Sequence, residues 1–599
     1  MMLPYMTSNV KKGRKSISGF GGLNITAQKS DGELTDCKNT SGRHYPALSS
    51  RLPRGSVTNT GVNINGIGYH SGIIYSGTTD EDKLTTKIYY ADKEATLGTD
   101  ESEDMANRER KFAAQGDNVL IVPDNKTFST AEGSVYTIEY SKEIDIGIAH
   151  EQAKIECDTY ILNDPLYDIA ELTSQGLKST LHEQNGFTSY FMTFDDLRVG
   201  DVVSMSIQAR PIVPSGRDDG YYVYIDKMLA GVELKITDLI TTRYKTKNNG
   251  YVSHITEICF GENVLDKGGY TDVMVTDITL RRKVPPLEHI CSLNNRVWGV
   301  YDNTIRCSKL GDCQQWYDFS ADAYGTLPSS CFSTEVASEG KFTAIVPYGG
   351  GIVGFKENCL HKIYGTDPDS YTLSTVNCKG VKSGCANTVV TIGSAVYYMG
   401  VDGVYEYRGG MPNLVSKKCG IQKAQTICAG TDGKNYYLVV RENESDVIYV
   451  YYPESRVWHK EELKNGTKYA LSAEGKMYIA RGTDIECILG ESSDENVRWS
   501  FVLEFDEDMY NTRSYGKLLV NYSLAKDGEF LIKTVCDEAT HVTNVSYESN
   551  HSKNAYSVIP LPQMGCRDFR IEFEGKGEFL LKNITREYII TPEESSNMI

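Results

Sequence analysis

The polar residues that could carry out chemistry are scattered along this chain, and their spacing does not match common reaction motifs. A phosphate-binding loop requires the pattern GxxxxGK[ST], and the segment Gly176-Leu177-Lys178-Ser179 lacks the first glycine. His182-Glu183 is not followed by a second histidine at the spacing of a zinc-protease helix, and no GxSxG motif occurs. These motifs therefore predict no catalytic, cofactor-binding or metal site.

Histidine and cysteine also lack the spacing of metal ligands. The ten histidines are dispersed, and we interpret His70 and His361, in segments with strand patterns, as core or surface residues rather than ligands. The fifteen cysteines form no CxxC pair, which argues against a zinc framework or a thioredoxin-like motif. Cys259, Cys307 and Cys428 lie within strand patterns as small apolar residues, and free thiols are typical of a reducing cytoplasm.

Glycoside hydrolysis requires two facing carboxylates, so the acidic residues need separate attention. Asp302, Asp402 and Asp484 stand in hairpin turns, where aspartate suits the backbone geometry. The sialidase-type Asp box, Ser-x-Asp-x-Gly-x-Thr-Trp, is absent from the sequence. We therefore predict that the chain is not an enzyme, and a carbohydrate-active propeller enzyme remains the alternative.

A recurring hairpin organises most of the chain, and its clearest copy is 294–308. Turns that open such hairpins stand near residues 71, 116, 294, 349, 393, 431 and 473. Most steps between them are about 40–50 residues, the length of one four-stranded propeller blade. The pattern predicts an all-β protein with a β-propeller of six to eight blades, and a set of β-sandwiches is the alternative.

One step between hairpins, from 116 to 294, is much longer than a blade and predicts an inserted domain at 133–285. We interpret this insert as a β-sandwich of jelly-roll type, because several of its segments alternate or run apolar. These segments are Val202–Ile207, Tyr221–Ile225, Val232–Ile236 and Val273–Leu280. Helical patterns are few and short, such as Ile169–Thr180.

The remaining segments complete the predicted domain order. Residues 1–60 form an extended N-terminal arm that lacks a periodic apolar face and is expected to pack on another surface. The propeller then occupies 61–132 and 286–508, on either side of the insert. Residues 509–599 form a C-terminal β-sandwich and a polar tail.

The net charge of −18 indicates a surface that repels nucleic acid, because stable DNA binding needs phosphate neutralisation by Lys and Arg. DNA could still pass close to such a surface without binding. The chain has no apolar run of transmembrane length, and Met1–Arg14 lacks the apolar region of a signal peptide. We expect no stable membrane insertion and no export by the ordinary secretory route.

Three stretches resemble tailed-phage structural proteins. Phe20-Gly21-Gly22-Leu23-Asn24, with the later segments 31–36 and 45–48, is similar to the N-terminal arm of many such proteins. Arg296-Val297-Trp298-Gly299, with the segments 303–305 and 308–312 and Trp316, is similar to a blade of podovirus tail nozzle proteins, the tail tubular protein B group. The segment 569–577 resembles the C-terminal sandwich of related phage propeller proteins.

This resemblance implies a virion protein of the phage tail that is made in the host bacterial cytoplasm. The implied assembly is a homo-oligomeric ring, with a hexamer expected, that continues the DNA channel below the portal and adaptor. Its implied partners are the tail adaptor or portal complex and, in some arrangements, tail fibres, with transient passage of phage DNA and no specific binding. A host-surface-binding tail protein is an alternative within the same class, and the step from fold to function rests on analogy.

Overall fold

The computed structural model describes most of the chain between residues 11 and 592. The described residues are 11–138, 143–145, 170–184, 187–190, 194–195, 197–211, 232–245, 250–264, 273–282, 285–322, 325–490, 495–505, 511–526, 528–537, 539–546, 555–561, 565–566 and 568–592. The predicted strand Tyr221–Ile225 and the predicted polar tail after residue 592 lie outside them.

Seven successive four-stranded sheets, the blades of a β-propeller, occur in this described part of the chain. Blades 1 and 2 consist of Asn63–Tyr69, Ile73–Thr78, Thr85–Tyr90 and Lys93–Thr99, and of Lys111–Gln115, Asn118–Val122, Lys126–Ser129 and Ser134–Thr137. Blades 3 and 4 consist of His289–Leu293, Arg296–Tyr301, Thr304–Cys307 and Phe332–Glu335, and of Ala344–Tyr348, Gly351–Phe355, Cys359–Tyr364 and Thr372–Asn377. Blades 5 and 6 consist of Val390–Ile392, Ala395–Met399, Val404–Tyr407 and Asn413–Leu414, and of Gln425–Thr431, Tyr436–Glu442, Ser445–Tyr452 and Val457–Glu462. Blade 7 consists of Thr467–Ala473, Lys476–Arg481, Asp484–Cys487 and the distant strand Val57–Asn59.

The seven turns predicted from the sequence are the turns between the first two strands of the seven blades. Each contains a residue with positive φ, for which glycine and asparagine are suited. These residues are Ser71, Gly116, Asn294, Gly349, Gly393, Gly433 and Glu474. The propeller prediction is therefore confirmed, and the blade number lies within the predicted range.

The second strands of the blades show how the sequence forms these sheets. Ala395–Met399 is buried along its whole length, and in Tyr436–Glu442 only the last two residues reach solvent. Short, continuous runs of apolar and aromatic residues between turn residues are typical of strands that are covered on both faces. Cys428, Val439 and Ile448 of blade 6 pack with Met477 and Ile479 of blade 7 in one apolar cluster.

The inserted domain begins after blade 2 ends at Thr137 and finishes before blade 3 begins at His289. The predicted start at 133 would remove the outer strand Ser134–Thr137, which is only partly buried, from blade 2. Its main sheet orders Glu143–Asp145, Val273–Arg282, Ala170–Leu172, Gly176–Ser179, Tyr251–Phe260, Val232–Lys245 and Val202–Pro211. The last of these strands also pairs with Val273–Arg282, so the sheet closes on itself.

The predicted helix Ile169–Thr180 is wrong, because the described residues Ala170–Leu172 and Gly176–Ser179 form an antiparallel hairpin. Helices are short in the described residues: the α-helix Glu103–Ala106 and the 3-10 turns Ala386–Thr388 and Ile421–Lys423. Two further hairpins pair Leu181–Gln184 with Phe187–Tyr190 and Ala321–Asp322 with Gly325–Thr326.

Two sheets form the C-terminal sandwich, and both include strands from the N-terminal arm. Sheet I orders Thr40–Ser41, Leu48–Ser50, Phe579–Pro592, Asn511–Leu524 and Ala555–Pro560, with Lys11–Ile17 and Gly565–Cys566 as further strands. Sheet II orders Leu34–Lys38, Arg498–Phe505, Phe569–Lys576, Glu529–Cys536 and Ala539–Ser546. The sandwich thus contains the strand Arg498–Phe505, which lies before the predicted boundary at 509.

The chain forms two compact units. The first contains residues 1–111, 348–362 and 374–599, which include the arm, blades 1, 5, 6 and 7, and the C-terminal sandwich. The second contains residues 112–347 and 363–373, which include the inserted domain and blade 3.

Candidate functional site: the N-terminal arm and the cleft beside it

Gly22 lies at a close approach of the arm to blade 6. Its φ is +71°, and a Cβ atom at this position would stand 2.6 Å from the carbonyl oxygen of Trp458. The next amide, that of Leu23, donates a hydrogen bond of 2.8 Å to the same oxygen. Only glycine fits both the left-handed backbone and the close approach, which explains a Gly-Gly pair in this segment.

Two motifs singled out in the sequence, Gly-Gly-Leu-Asn and Asp-Gly-Glu, bind each other. The buried amide of Asn24 donates a 2.8 Å hydrogen bond to Glu33, and the amide of Ser30 donates one of 2.7 Å to the same carboxylate. Lys418, which follows blade 5, donates a third bond of 2.5 Å. Burial alone would raise the pKa of Glu33, but these hydrogen bonds outweigh it and hold the pKa below its usual value.

The third motif of the arm, Tyr45-Pro46-Ala47-Leu48, joins the same network. The amide of Phe20 donates a 3.0 Å hydrogen bond to the carbonyl of Pro46, and the Phe20 ring is buried. Leu48 is buried in its short strand of sheet I. The residues that carry the phage resemblance in the arm therefore have structural partners within the chain.

Two arginines fix the end of the arm to acidic residues far away in the sequence. Arg51 donates two hydrogen bonds, of 2.6 and 3.1 Å, to the carboxylate of Glu495. Arg54 donates a bond of 2.8 Å to Glu461 of blade 6, and both partners are largely buried. The bond from Arg51, with smaller contributions from Arg54, lowers the pKa of Glu495. Bidentate guanidinium–carboxylate contacts of this kind are directional and resist shear between the groups they join.

Strand pairing adds backbone bonds along the whole arm. Lys11–Ile17 pairs with Phe579–Pro592, and Leu34–Lys38 pairs with Arg498–Phe505. Val57–Asn59 pairs with Asp484–Cys487 and completes blade 7. The arm therefore connects the propeller's last blade with both sheets of the C-terminal sandwich, in the same chain. Residues 11–60 thus pack on surfaces of their own chain.

A cleft of about 760 Å³ lies over one end of sheet II, next to the arm. Lys38 of the arm lines it together with charged residues of the sheet: Arg498, Glu529, Glu574 and Lys576. Lys576 and Glu529 form an ion pair of 2.8 Å, and Lys38 pairs with Glu462 of blade 6. The cleft combines charges of both signs with the polar side chains of Ser500 and Asn544.

The aromatic residues at the cleft lie beneath its surface. Trp499 and Phe530 are buried and belong to the inner face of sheet II, where Trp499 stacks on Phe579 with ring centroids 4.1 Å apart. Sugars are commonly bound by stacking on exposed rings, and these two rings are not exposed. The charged rim is therefore suited to a polar partner that is recognised by ion pairs and hydrogen bonds.

The histidines considered as ligands have other environments. His361 is buried in blade 4, and its Nδ1 atom lies 2.9 Å from the hydroxyl of Thr375. Burial, with the nearby charge of Lys356, lowers the pKa of His361 to about 4, so the ring is neutral at pH 7. His70 is partly exposed in the first turn of blade 1, one residue beyond the strand Asn63–Tyr69, so the prediction that it lies within a strand is wrong.

The three aspartates considered for glycoside hydrolysis occupy hairpin turns or their edges. Asp302 has a φ of +47° between two strands of blade 3. Asp402 accepts a 3.0 Å hydrogen bond from Tyr405, and Asp484 accepts one of 2.7 Å from Asn59. These contacts agree with the interpretation that the three residues serve turn and strand geometry.

Within the described residues, no cluster of three or more His, Cys, Asp or Glu side chains has the geometry to hold a metal ion. The helices of the described part of the chain are too short to span a bilayer.

Sequence reasoning did not identify the partners of the arm or the cleft. Lys418, Glu461 and Glu495 stand more than 380 positions from the arm residues that they bind. The available signal was the arm's own charge, because Arg51 and Arg54 in an otherwise small and polar segment require acidic partners when buried.

Comparisons with known proteins find distantly similar solved structures and no sequence match. No protein-family model matches the chain, and no curated protein sequence matches it. BamB from Moraxella catarrhalis is 10% identical over 74% of this chain and 100% of its own, with a TM-score of 0.30. Virginiamycin B lyase from Staphylococcus aureus is 9% identical over 73% of this chain and 98% of its own, with a TM-score of 0.31. An exo-beta-1,3-galactanase from Phanerochaete chrysosporium is 6% identical over 51% of this chain and 95% of its own, with a TM-score of 0.22.

Proposed function

We propose that this chain is a structural protein of a phage tail, the subunit of a nozzle ring that continues the DNA channel below the portal and adaptor. The observation that carries the proposal is the bonding of the arm residues that resemble phage structural proteins. Gly22, Asn24 and Glu33 are engaged in backbone and side-chain bonds within the chain, which is the behaviour of structural rather than catalytic residues.

The connections of the arm are suited to a wall that carries load. A force on the C-terminal sandwich is transmitted through the arm to blade 7 by strand pairing at Leu34–Lys38 and Val57–Asn59, and to blade 6 by the ion pair of Arg54 with Glu461. The backbone hydrogen bonds of one strand pair share the load. Several of them must therefore break together before the sandwich separates from its blade. A subunit of a pressurised conduit requires this property.

The charge of the chain supports the same role. A net charge of −18 keeps DNA from adhering to the surface by phosphate neutralisation, which would slow its passage. Acidity alone is also common among soluble proteins, so this support is secondary to the arm.

Assembly tests the proposal directly. We expect the purified protein to form closed rings, alone or after mixing with a tail adaptor protein, in negative-stain images and in native mass spectra. Immunogold labelling of intact virions should place the protein at the tail. A protein that stays monomeric with the adaptor and is absent from purified virions would contradict the proposal.

The cleft over sheet II favours a second candidate, a tail protein that binds the host surface. Its mixed charges would recognise a polar surface polymer. Purified protein would then adhere to host cells, and Arg498→Glu would abolish adhesion without changing ring formation. Arg408→Glu, at an exposed arginine in blade 5, is the matched control. Adhesion that is unchanged by Arg498→Glu would remove the cleft from consideration.

A carbohydrate-active enzyme is tested by incubation with host glycans, because release of reducing ends by the purified protein would support that alternative over the nozzle. The surroundings of Asp302, Asp402 and Asp484 give no argument in its favour.

A further inference from the structure

Two cysteines meet between the sheets of the C-terminal sandwich. Cys536 ends the strand Glu529–Cys536 of sheet II, where it pairs in register with Phe569. Cys566 belongs to the short strand Gly565–Cys566, which pairs with Arg513 and Ser514 of sheet I. Their side chains are hydrogen-bonded to each other, so the two sulfur atoms are neighbours although their backbones belong to different sheets.

The backbone around these cysteines is held in place on both sides. The amide of Asp537 donates a 2.9 Å hydrogen bond to the carbonyl of Asp568, and the amide of Asp568 donates one of 2.9 Å to the Asp537 carboxylate. Beside them, the ring of Phe569 stacks on Tyr515 of sheet I with centroids 3.9 Å apart. These reciprocal bonds and stacked rings hold the segment after Cys536 against the segment after Cys566.

The two thiols differ in exposure and in acidity. Cys536 is partly exposed, whereas Cys566 is buried and both are reduced in the structure. The hydrogen bond from Cys566 lowers the pKa of Cys536, and the same bond together with burial raises the pKa of Cys566. An exposed thiol that is the better acid is the one that reacts first with an external disulfide.

We propose that Cys536 and Cys566 form a reversible oxidative cross-link that covalently joins the two sheets of the C-terminal sandwich when the protein leaves a reducing environment. The oxidant is a small-molecule disulfide, such as oxidised glutathione. This inference does not depend on the proposed nozzle function, because it concerns the chemistry of the sandwich alone.

The reaction consists of two thiol–disulfide exchanges. The Cys536 thiolate attacks one sulfur of the external disulfide, forms a mixed disulfide and releases one glutathione thiolate, which takes up the proton lost by Cys536. The Cys566 sulfur then attacks Cys536 Sγ, the mixed disulfide breaks, and a second glutathione thiolate leaves and takes up the proton of Cys566. Two protein thiols are oxidised by two electrons, and one external disulfide is reduced to two thiols.

Peptide mapping tests the cross-link on the full-length protein. Reduced protein is incubated with oxidised glutathione, its remaining thiols are alkylated, and it is digested with trypsin without reduction. We expect the peptides 534–553 and 554–567 to be recovered as one linked species that dithiothreitol separates. The species should disappear in Cys536→Ser and persist in Cys259→Ser, which removes a partly exposed cysteine in the inserted domain.

Thermal unfolding of the oxidised and reduced wild-type protein gives a second readout. Oxidation should raise the midpoint of the sandwich transition by about 5 °C, because the cross-link restricts the unfolded chain. The rise should be absent in Cys566→Ser. Recovery of Cys536 and Cys566 as alkylated residues after oxidation, or of Cys536 as a glutathione adduct beside alkylated Cys566, would overturn the proposal.

Discussion

Arg306 of blade 3 is completely buried and meets a buried carboxylate from the inserted domain. Its Nη2 atom donates a 3.0 Å hydrogen bond to Asp201, and the nearby hydroxyl of Tyr301 donates one of 2.7 Å to the carbonyl of Gly200. The ring of Tyr317 lies 5.7 Å from the guanidinium carbon of Arg306. A buried ion pair and a hydrogen bond thus hold the loop at 200–201 of the insert against the blade, within the second compact unit.

Removing one partner of this pair should be costly. We expect Asp201→Ala to lower the free energy of unfolding of this unit by about 3–5 kcal/mol, because it leaves the Arg306 charge buried without compensation. Urea denaturation followed by tryptophan fluorescence measures the effect. Glu335→Ala breaks the exposed pair with Lys235 and is the control, with an expected loss of about 1 kcal/mol or less. A loss in Asp201→Ala no larger than in this control would contradict the assignment.

His459 of blade 6 is buried beside the arm. Its Nδ1 atom lies 2.9 Å from the hydroxyl of Thr40, and its ring stands edge-on to Tyr452 at 5.6 Å. Burial lowers the pKa of His459 to about 3, so the folded state keeps the ring neutral. An unfolded chain would protonate the same ring near pH 6.5.

This difference sets the direction of a pH dependence. Because the folded pKa is lowered, the stabilising contribution of neutral His459 is complete above pH 6.5 and is lost as the pH falls toward 3. We expect a slope of up to about 1.4 kcal/mol per pH unit between pH 6 and 5, above the range where the carboxylates titrate. His459→Asn should flatten this slope in urea titrations. An unchanged slope in His459→Asn would contradict the prediction.

At the scale of elements, the arm and the segment directly after it contain glycines with a positive φ. Gly22 and Gly61 have nearly the same positive φ, +71° and +70°, but different surroundings. A Cβ at Gly22 would collide with the Trp458 backbone, whereas one at Gly61 would meet nothing within 4 Å. Substitutions at the two positions therefore distinguish the cost of backbone strain, which both positions share, from the cost of the close approach to blade 6, which only Gly22 makes.

We expect Gly22→Ala to destabilise the docked arm by about 2–4 kcal/mol, and Gly61→Ala to cost only the backbone strain of about 1–2 kcal/mol. Limited proteolysis measures docking, because a released arm exposes Arg43 and the sites near it to trypsin. Cleavage within 11–60 should be faster in Gly22→Ala than in both the wild type and Gly61→Ala. Equal cleavage rates for the two variants would show that the close approach to Trp458 does not matter.

The inserted domain shows where element prediction from sequence has a limit. The segment Ala170–Ser179 was predicted as part of a helix, and the structure shows a hairpin. Its apolar residues Leu172 and Leu177 are both buried by neighbouring strands that lie up to about 100 positions away in the sequence. Short apolar runs are ambiguous between helix and strand, and here the long-range partners decided.

At the scale of the whole molecule, charge governs the interaction with nucleic acid. With 80 acidic and 62 basic residues, the protein should not bind double-stranded DNA even at low ionic strength. We expect no mobility shift of a DNA fragment with micromolar protein at about 50 mM salt, where electrostatic binding is strongest. A parallel assay with a basic DNA-binding protein shows that the conditions permit a shift. Binding that weakens with added salt would reveal a basic surface on the protein and contradict a channel that DNA passes without adhering.

The sequence by itself determined the turns, and through them the propeller. Positive φ at residues such as Gly116, Asn294 and Gly393 is a local preference of the residue, so it can be read without knowing the rest of the structure. The same locality explains why Asp302 could be assigned to a turn rather than to catalysis.

Only the tertiary structure decided how the distant segments join. Blade 7 is completed by Val57–Asn59, the carboxylate of Glu495 binds Arg51, and Cys566 meets Cys536 across two sheets. None of these contacts follows from local preference, because each depends on the simultaneous packing of strands that are far apart in the chain. Ion pairs and strand pairing depend on which groups lie close together in space. These positions are set only once the sheets have formed.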